Sequence, residues 1–263
     1  MKRRHFLSIA FLLATQLISV TGAHAQISNI SEAINKSGRQ RMLSQRLVKS
    51  YLQIGLNVDV DRSKKILDTS LSTFDRQLTE LRAFAPTAEL KSDFTAIEKT
   101  WLIYKQLLVG KAPNKVDGKT LILLSEDLLQ MSEATTNKLE KYAGNSAGKL
   151  VNLSGRQRML SQRMAKYYQA AYWEISSAEG NSKLEAARKE FSAGLATLNT
   201  SPGNTPKIKE ELAMAEQQWI FFDAAIRKAD ATKNHHMAAT NVATTSERLL
   251  EIMDRVTGMY QDL

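Results

Sequence analysis

The chain has 263 residues, no cysteine, and 36 lysines and arginines against 27 acidic residues, for a formal charge of +9. That length suffices for one large domain or two of ordinary size. The missing cysteines exclude disulfides, thiolate metal sites and cysteine nucleophiles.

Lys2, Arg3 and Arg4 open a segment that continues as the apolar run Phe6–Val20 and ends in Ala23-His24-Ala25, a small-x-small pattern. Residues 1–25 therefore read as a secretory signal peptide, with the mature chain beginning at Gln26. Losing the three cations of that segment takes the charge from +9 to +6. The apolar run is short for a spanning helix, although retention as an anchor stays open, as does Sec against Tat export. The expected location is the periplasm. There a basic balance meets small anions or acidic surfaces rather than nucleic acid.

Apolar residues then recur in steps of three and four over eight segments, the spacing that lines up one helix face. The segments are 27–57, 62–84, 88–109 and 119–143, then 147–178, 181–199, 206–229 and 236–261. Breaks fall at Pro86, at Pro113 with Gly118, and at Pro202-Gly203 with Pro206, residues that stop helices. The second four segments repeat the first. Phe74, Leu78 and Leu81 return as Phe191, Leu195 and Leu198 at offset 117, Trp101 as Trp219 at 118, and Leu128 and Met131 as Leu249 and Ile252 at 121. The spacing predicts an all-α chain of two tandem up-down-up-down four-helix bundles, over 26–143 and 144–263. Trp101 and Trp219 are expected to fill the cores.

The first segment of each copy is unusual. Ser37–Arg46 and Ser154–Arg163 are identical, SGRQRMLSQR, with three arginines and no acid. One helix face runs Ile30, Ile34, Ser37, Arg41, Ser44, Val48, Tyr51, and its copy runs Ala147, Val151, Ser154, Arg158, Ser161, Ala165, Tyr168. A guanidinium thus interrupts an apolar stripe. Ser37 and Ser44, or Ser154 and Ser161, flank it by one turn, with Gly38 or Gly155 close by. Small residues there open a space and bare the backbone, and a mid-helix glycine costs about 1 kcal/mol against alanine. A desolvated guanidinium costs several kcal/mol unless an anion meets it. A buried ion pair and an exogenous flat oxyanion both answer that need. Arg39 and Arg46, seven residues apart on another face, and their copies Arg156 and Arg163, are expected to pair with Glu98 and Glu216 of the third helices.

Ile34-Asn35-Lys36-Ser37-Gly38-Arg39-Gln40-Arg41-Met42-Leu43-Ser44-Gln45-Arg46 resembles the first-helix signature of the NarX-like/PilJ-type sensory domain, and Val151–Arg163 matches it equally. The resemblance implies periplasmic four-helix bundles of the kind that front nitrate/nitrite sensor kinases and pilus-associated chemoreceptors. It also implies that Gly38 with Arg41, and Gly155 with Arg158, form a ligand box for a nitrate- or nitrite-like anion across a dimer interface. Arg39-Gln40 and Arg156-Gln157 stand where the nitrate sensors carry small or apolar residues, so this form is closer to the pilus-receptor branch. With no kinase or methyl-accepting segment after Leu263, the expectation is a module that binds and hands its state to a membrane sensor kinase or chemoreceptor. Self-association is left open, and so is a docking or scaffolding module whose arginines are internal glue.

The linking stretch Gly144–Gly148 leaves two arrangements. If it turns the chain, the bundles lie side by side and Arg41 faces Arg158. If the helix continues, they lie end to end. Two facing guanidinium groups repel by about 2–4 kcal/mol at roughly 4–8 Å, a sign that a bridging anion reverses. No metal, cofactor or enzymatic constellation is expected. His235 and His236 are adjacent and diverge on a helix, Asp59-Val60-Asp61 is followed by Arg62, Lys64 and Lys65, and a capping turn explains it better.

Overall fold

The structure, a computed structural model, describes residues 26–228 and 234–263. The expected signal peptide lies outside the described residues. Eight helices follow one another: α1 (Ile30–Gly55), α2 (Val60–Phe84), α3 (Ala88–Leu108), α4 (Lys115–Ala143), α5 (Ser146–Tyr172), α6 (Gly180–Asn199), α7 (Pro206–Lys228) and α8 (His235–Gln261). The described residues contain no strand. None of the described helices is long and apolar enough to cross a membrane.

Polar caps start these helices. Asn29, Thr87, Asn114 and Asn145 each accept a hydrogen bond from the backbone N–H three residues on, satisfying a donor that the helix start leaves orphaned. Two expected boundaries move. Gly118 is not a break but lies in the first turn of α4, where a Cβ would come within 2.9 Å of Ile175 Cδ1 from the other half of the chain. Its lack of a side chain admits that neighbour. The fifth helix ends at Tyr172 rather than 178, because Glu174 turns left-handed (φ 58°) and the Ile175 N–H bonds back to Ala170. Asp59 precedes α2 as expected of a cap, but it is left-handed and its side chain makes no capping bond.

Within each half, consecutive helices pack in a ring, α1 to α4 and α5 to α8, and the halves meet chiefly along α1 and α5. The stretch 144–145 does turn the chain: Gly144 ends α4 at φ 65° and Asn145 caps α5. A Cβ at 144 would meet nothing closer than the Lys141 carbonyl at 4.0 Å, so Gly144→Ala should cost about 1–2 kcal/mol through the left-handed backbone alone, read as a lowered urea midpoint. After four reversals α5 runs parallel to α1. Ile34 lies against Gly148 near one end of the pair, and Lys49 reaches Gln162 further along. One large apolar core spans both halves, from Ile27 to Tyr260, beside a small cluster of Val58, Ala239 and Ala243.

The copies are not identical inside. Phe74 stacks on the buried Trp101 at 3.9 Å, and Trp101 donates its indole N–H to Asp75 at 2.6 Å, with Lys105 on the same carboxylate. At the matched places the second half has Ser192 and Asp223. Trp219 stacks on Phe191 but stays partly exposed, and Asp223 is taken by Arg188. The expectation that both tryptophans are core residues thus holds fully for Trp101 and in part for Trp219.

Candidate functional site

The α1–α5 seam carries the site. Their apolar stripes should face each other, and a helix that must also touch α2, α4 and α8 has little solvent-facing surface left. Arg41 and Arg158 accordingly have no exposed area at all. Both guanidinium groups approach the same point. A Cβ at Gly38 would lie 2.9 Å from Arg41 Nη2 and 3.8 Å from Arg158 Nη2, and one at Gly155 would lie 3.1 Å from Arg158 Nη2 and 3.5 Å from Arg41 Nη2. The two helix-interior glycines are therefore the floor on which the guanidinium groups rest.

The contacts are reciprocal. Arg41 Nη2 donates to the Asn152 carbonyl at 3.3 Å, and Arg158 Nη2 to the Asn35 carbonyl at 3.2 Å and the Asn35 side chain at 2.8 Å. The same contact is thus made twice, once from each half. Each arginine also has a carboxylate from its own half: Arg41 Nη1 lies 2.5 Å from Glu133 of α4, and Arg158 Nη1 lies 2.5 Å from Asp254 of α8. The expected repulsion between two bare guanidinium groups is thus compensated inside the protein. Burial lowers both guanidinium pKa values, Arg158 to about 10. Burial alone would raise Glu133 and Asp254, but Arg41 and Arg156 facing the first, and Arg158 and Arg39 facing the second, hold both below the ordinary carboxylate range. The Nε–H of Arg41 and of Arg158 is buried with no hydrogen-bond partner among the described residues.

The four serines do not aim at this centre. Ser44 and Ser161 donate to the carbonyls of Arg41 and Arg158, Ser154 to those of Leu150 and Val151, and Ser37 shares a hydrogen bond with Thr136. Small side chains here favour helix contact and local back-bonding over display of a hydroxyl.

The outer arginines pair, but with other residues than expected. Arg39 meets Asp254 at 2.6 Å, Arg156 meets Glu133 at 2.5 Å and also Glu190, Arg46 meets Glu247, and Arg163 meets Glu126 at 2.5 Å. Glu98 instead pairs with Arg82, and Glu216 accepts from Asn199. Glu98 and Glu216 thus face the preceding helices α2 and α6 on the far side of each ring, whereas α4 and α8 border the seam.

A second charged layer lies two turns along. Lys49 is fully buried against Glu247, Gln162 and Ser246, and Lys166 against Glu126 and Ser125. Burial pushes both lysines down to about 8. Burial would raise the two glutamates, but the lysine and arginine facing each take it down to about 2. Sequence reasoning missed this layer and the Glu133 and Asp254 partners. A signal existed: Glu126 and Glu247, and Glu133 and Asp254, are matched acids at offset 121, and Lys49 and Lys166 matched cations at 117.

No group of three or more metal-ligating side chains gathers among the described residues. His235 stacks on Tyr172, and His236 contacts the Asn57 carbonyl.

Two matched helical rings joined along a charged, buried first-helix seam define an all-helical, two-copy module. A family model described as "Type IV pili methyl-accepting chemotaxis transducer N-term", PilJ, matches residues 23–123 and again 143–250, and the chain belongs to that family. No curated protein and no solved structure matches it. Membership makes the chain a sensory or signalling module of a non-catalytic family.

Proposed function

We propose that the chain is an exported periplasmic sensor module that takes a small flat oxyanion, nitrate- or nitrite-like, at the Arg41/Arg158 centre and passes its state to a membrane sensor or chemoreceptor. The observation that carries this reading is the meeting of two fully buried guanidinium groups at one glycine floor, each with a buried Nε–H left unpartnered. A planar fork of donors suits a planar anion. Gly38, Arg41, Gly155 and Arg158 are the proposed ligand residues, and the four serines shape the helix contact around them. The module needs no cofactor.

One anion touching both arginines gives a linked loss. Arg41→Ala or Arg158→Ala alone should abolish most of the affinity, where two independent sites would each lose half the stoichiometry. Calorimetry and thermal shift against nitrate, nitrite, formate, phosphate and sulfate decide it. No stabilisation by any of them overturns the reading.

The carboxylate beside each arginine favours a second reading, in which the arginines are glue within a docking or scaffolding module. On that reading Arg41→Ala lowers the melting temperature equally with and without every anion, and the module captures its partner regardless of them.

A further inference from the structure

We infer that Glu133 and Asp254 are resident competitors of the ligand: they occupy the anion positions of the seam arginines, and an incoming oxyanion must displace them. This rests on the oxyanion reading above and names the regulation of that site.

Three observations converge. First, each carboxylate lies on an Nη1 of a guanidinium that has no other charged partner at 4 Å or less among the described residues, Glu133 on Arg41 and Asp254 on Arg158. A carboxylate and a flat oxyanion present the same planar pair of oxygens to that fork, so the two compete for one place. Second, the arginines are fully buried while the Glu133 and Asp254 side chains keep 25% and 35% exposure. The acids are therefore the side of the site that solvent reaches.

Third, each acid also holds an arginine of the opposite half. Glu133, from the first half, binds Arg156 of α5, and Asp254, from the second, binds Arg39 of α1. The two acids thus clamp α1 and α5 from opposite sides. Asn137 donates to Glu133 at 3.3 Å, and Arg156 has a further partner in Glu190, so an outgoing Glu133 leaves no cation stranded there. Displacement at Arg41 and Arg158 loosens both clamps together. Occupancy becomes a change in how the two halves grip each other, because the ligand and the clamp draw on the same two acids.

The consequence is an affinity threshold. The protein with its acids seated binds less tightly than its open form by the fraction of time that the acids are away. Removing their charge while keeping their shape should remove that penalty. The experiment is calorimetry with nitrate and with formate on the wild type, on Glu133→Gln, on Asp254→Asn and on the double variant. The double variant should bind the better of the two anions about tenfold more tightly or better, with each single change moving affinity in the same direction. Its thermal midpoint should rise more with added anion than that of the wild type, since the ligand then supplies the missing counter-charge.

Wild-type binding that the variants leave unchanged or weaken would overturn the competitor role while keeping the oxyanion site. Folded wild type and folded single variants that all ignore both anions would overturn the site and the competitor role together. If the double variant does not melt cooperatively, the two single variants, each retaining one clamp, give the same decision by the sign of their change.

Discussion

Glu247→Ala should lower the stability of the folded chain by about 3–5 kcal/mol at neutral pH, among the largest losses any single substitution causes here. The reason is what stays behind. Lys49 has no exposed area, and its remaining partners, Gln162 and Ser246, are neutral. Arg46 loses its carboxylate at the same time. An uncompensated buried cation costs more than the pair ever contributed. The loss should shrink as pH rises toward about 8, because Glu247 holds the Lys49 pKa up at that value and without it the buried amine sheds its proton at lower pH. Glu126→Ala should behave alike through Lys166 and Arg163. Glu98→Ala is the control, because its pair with Arg82 is over a third exposed on both sides and pairs of that kind contribute about 0–1 kcal/mol. Urea unfolding at pH 7 measures all three. Equal losses for Glu247→Ala and Glu98→Ala would contradict the buried layer.

Acid should dissolve the same layer. Glu126 and Glu247 ionise at about 2 in the folded chain against an ordinary 4.5, so the unfolded chain takes up their protons first. A lowered carboxylate contributes stability that is complete above the ordinary value and is lost as pH falls through the folded one. The window is therefore pH 4.5 down to about 2, with about 3 kcal/mol at stake for each carboxylate. Lys49 and Lys166 stay charged in both states throughout that window and do not alter its slope. Denaturation midpoints followed from pH 7 to pH 2 should fall steeply in the wild type. They should fall much less in Glu126→Gln with Glu247→Gln, and an unchanged acid limb in that variant would assign the loss elsewhere.

The helices were legible because periodicity is a local signal: a stripe such as Ile30, Ile34, Ser37, Arg41, Ser44 needs only its own spacing to be seen. The burial of Arg41 was legible for the same reason. Its charge partner was not, since Glu133 lies 92 residues away and Asp254 lies 215 from Arg39. Nothing in a helix says which of its acids will border another half of the chain. Reasoning from the tryptophan-bearing third helices led to Glu98 and Glu216, which lie on the far side of each ring. The serines show the limit of residue type. A buried hydroxyl one turn from an arginine can face a ligand or its own helix, and here Ser44, Ser154 and Ser161 bond to their own backbone. Only the repeat carried long-range information, by pairing acid with acid across an offset of 121.

The two-residue turn at Gly144 and Asn145 has a further meaning for the seam that it brings together. Two separate chains would find each other at a rate and extent set by their concentration, and would come apart on dilution. Tethering replaces that concentration with a fixed local one, on the order of millimolar for a short link, so the α1–α5 pairing is indifferent to how much protein is present. Tethering also releases the two sides from identity. In an assembly of identical subunits every substitution appears twice and must suit both places. In one chain Asp75 and Lys105 can seal Trp101 while Ser192 and Asp223 leave Trp219 partly open. The tether lets one half specialise while the other keeps the pair together.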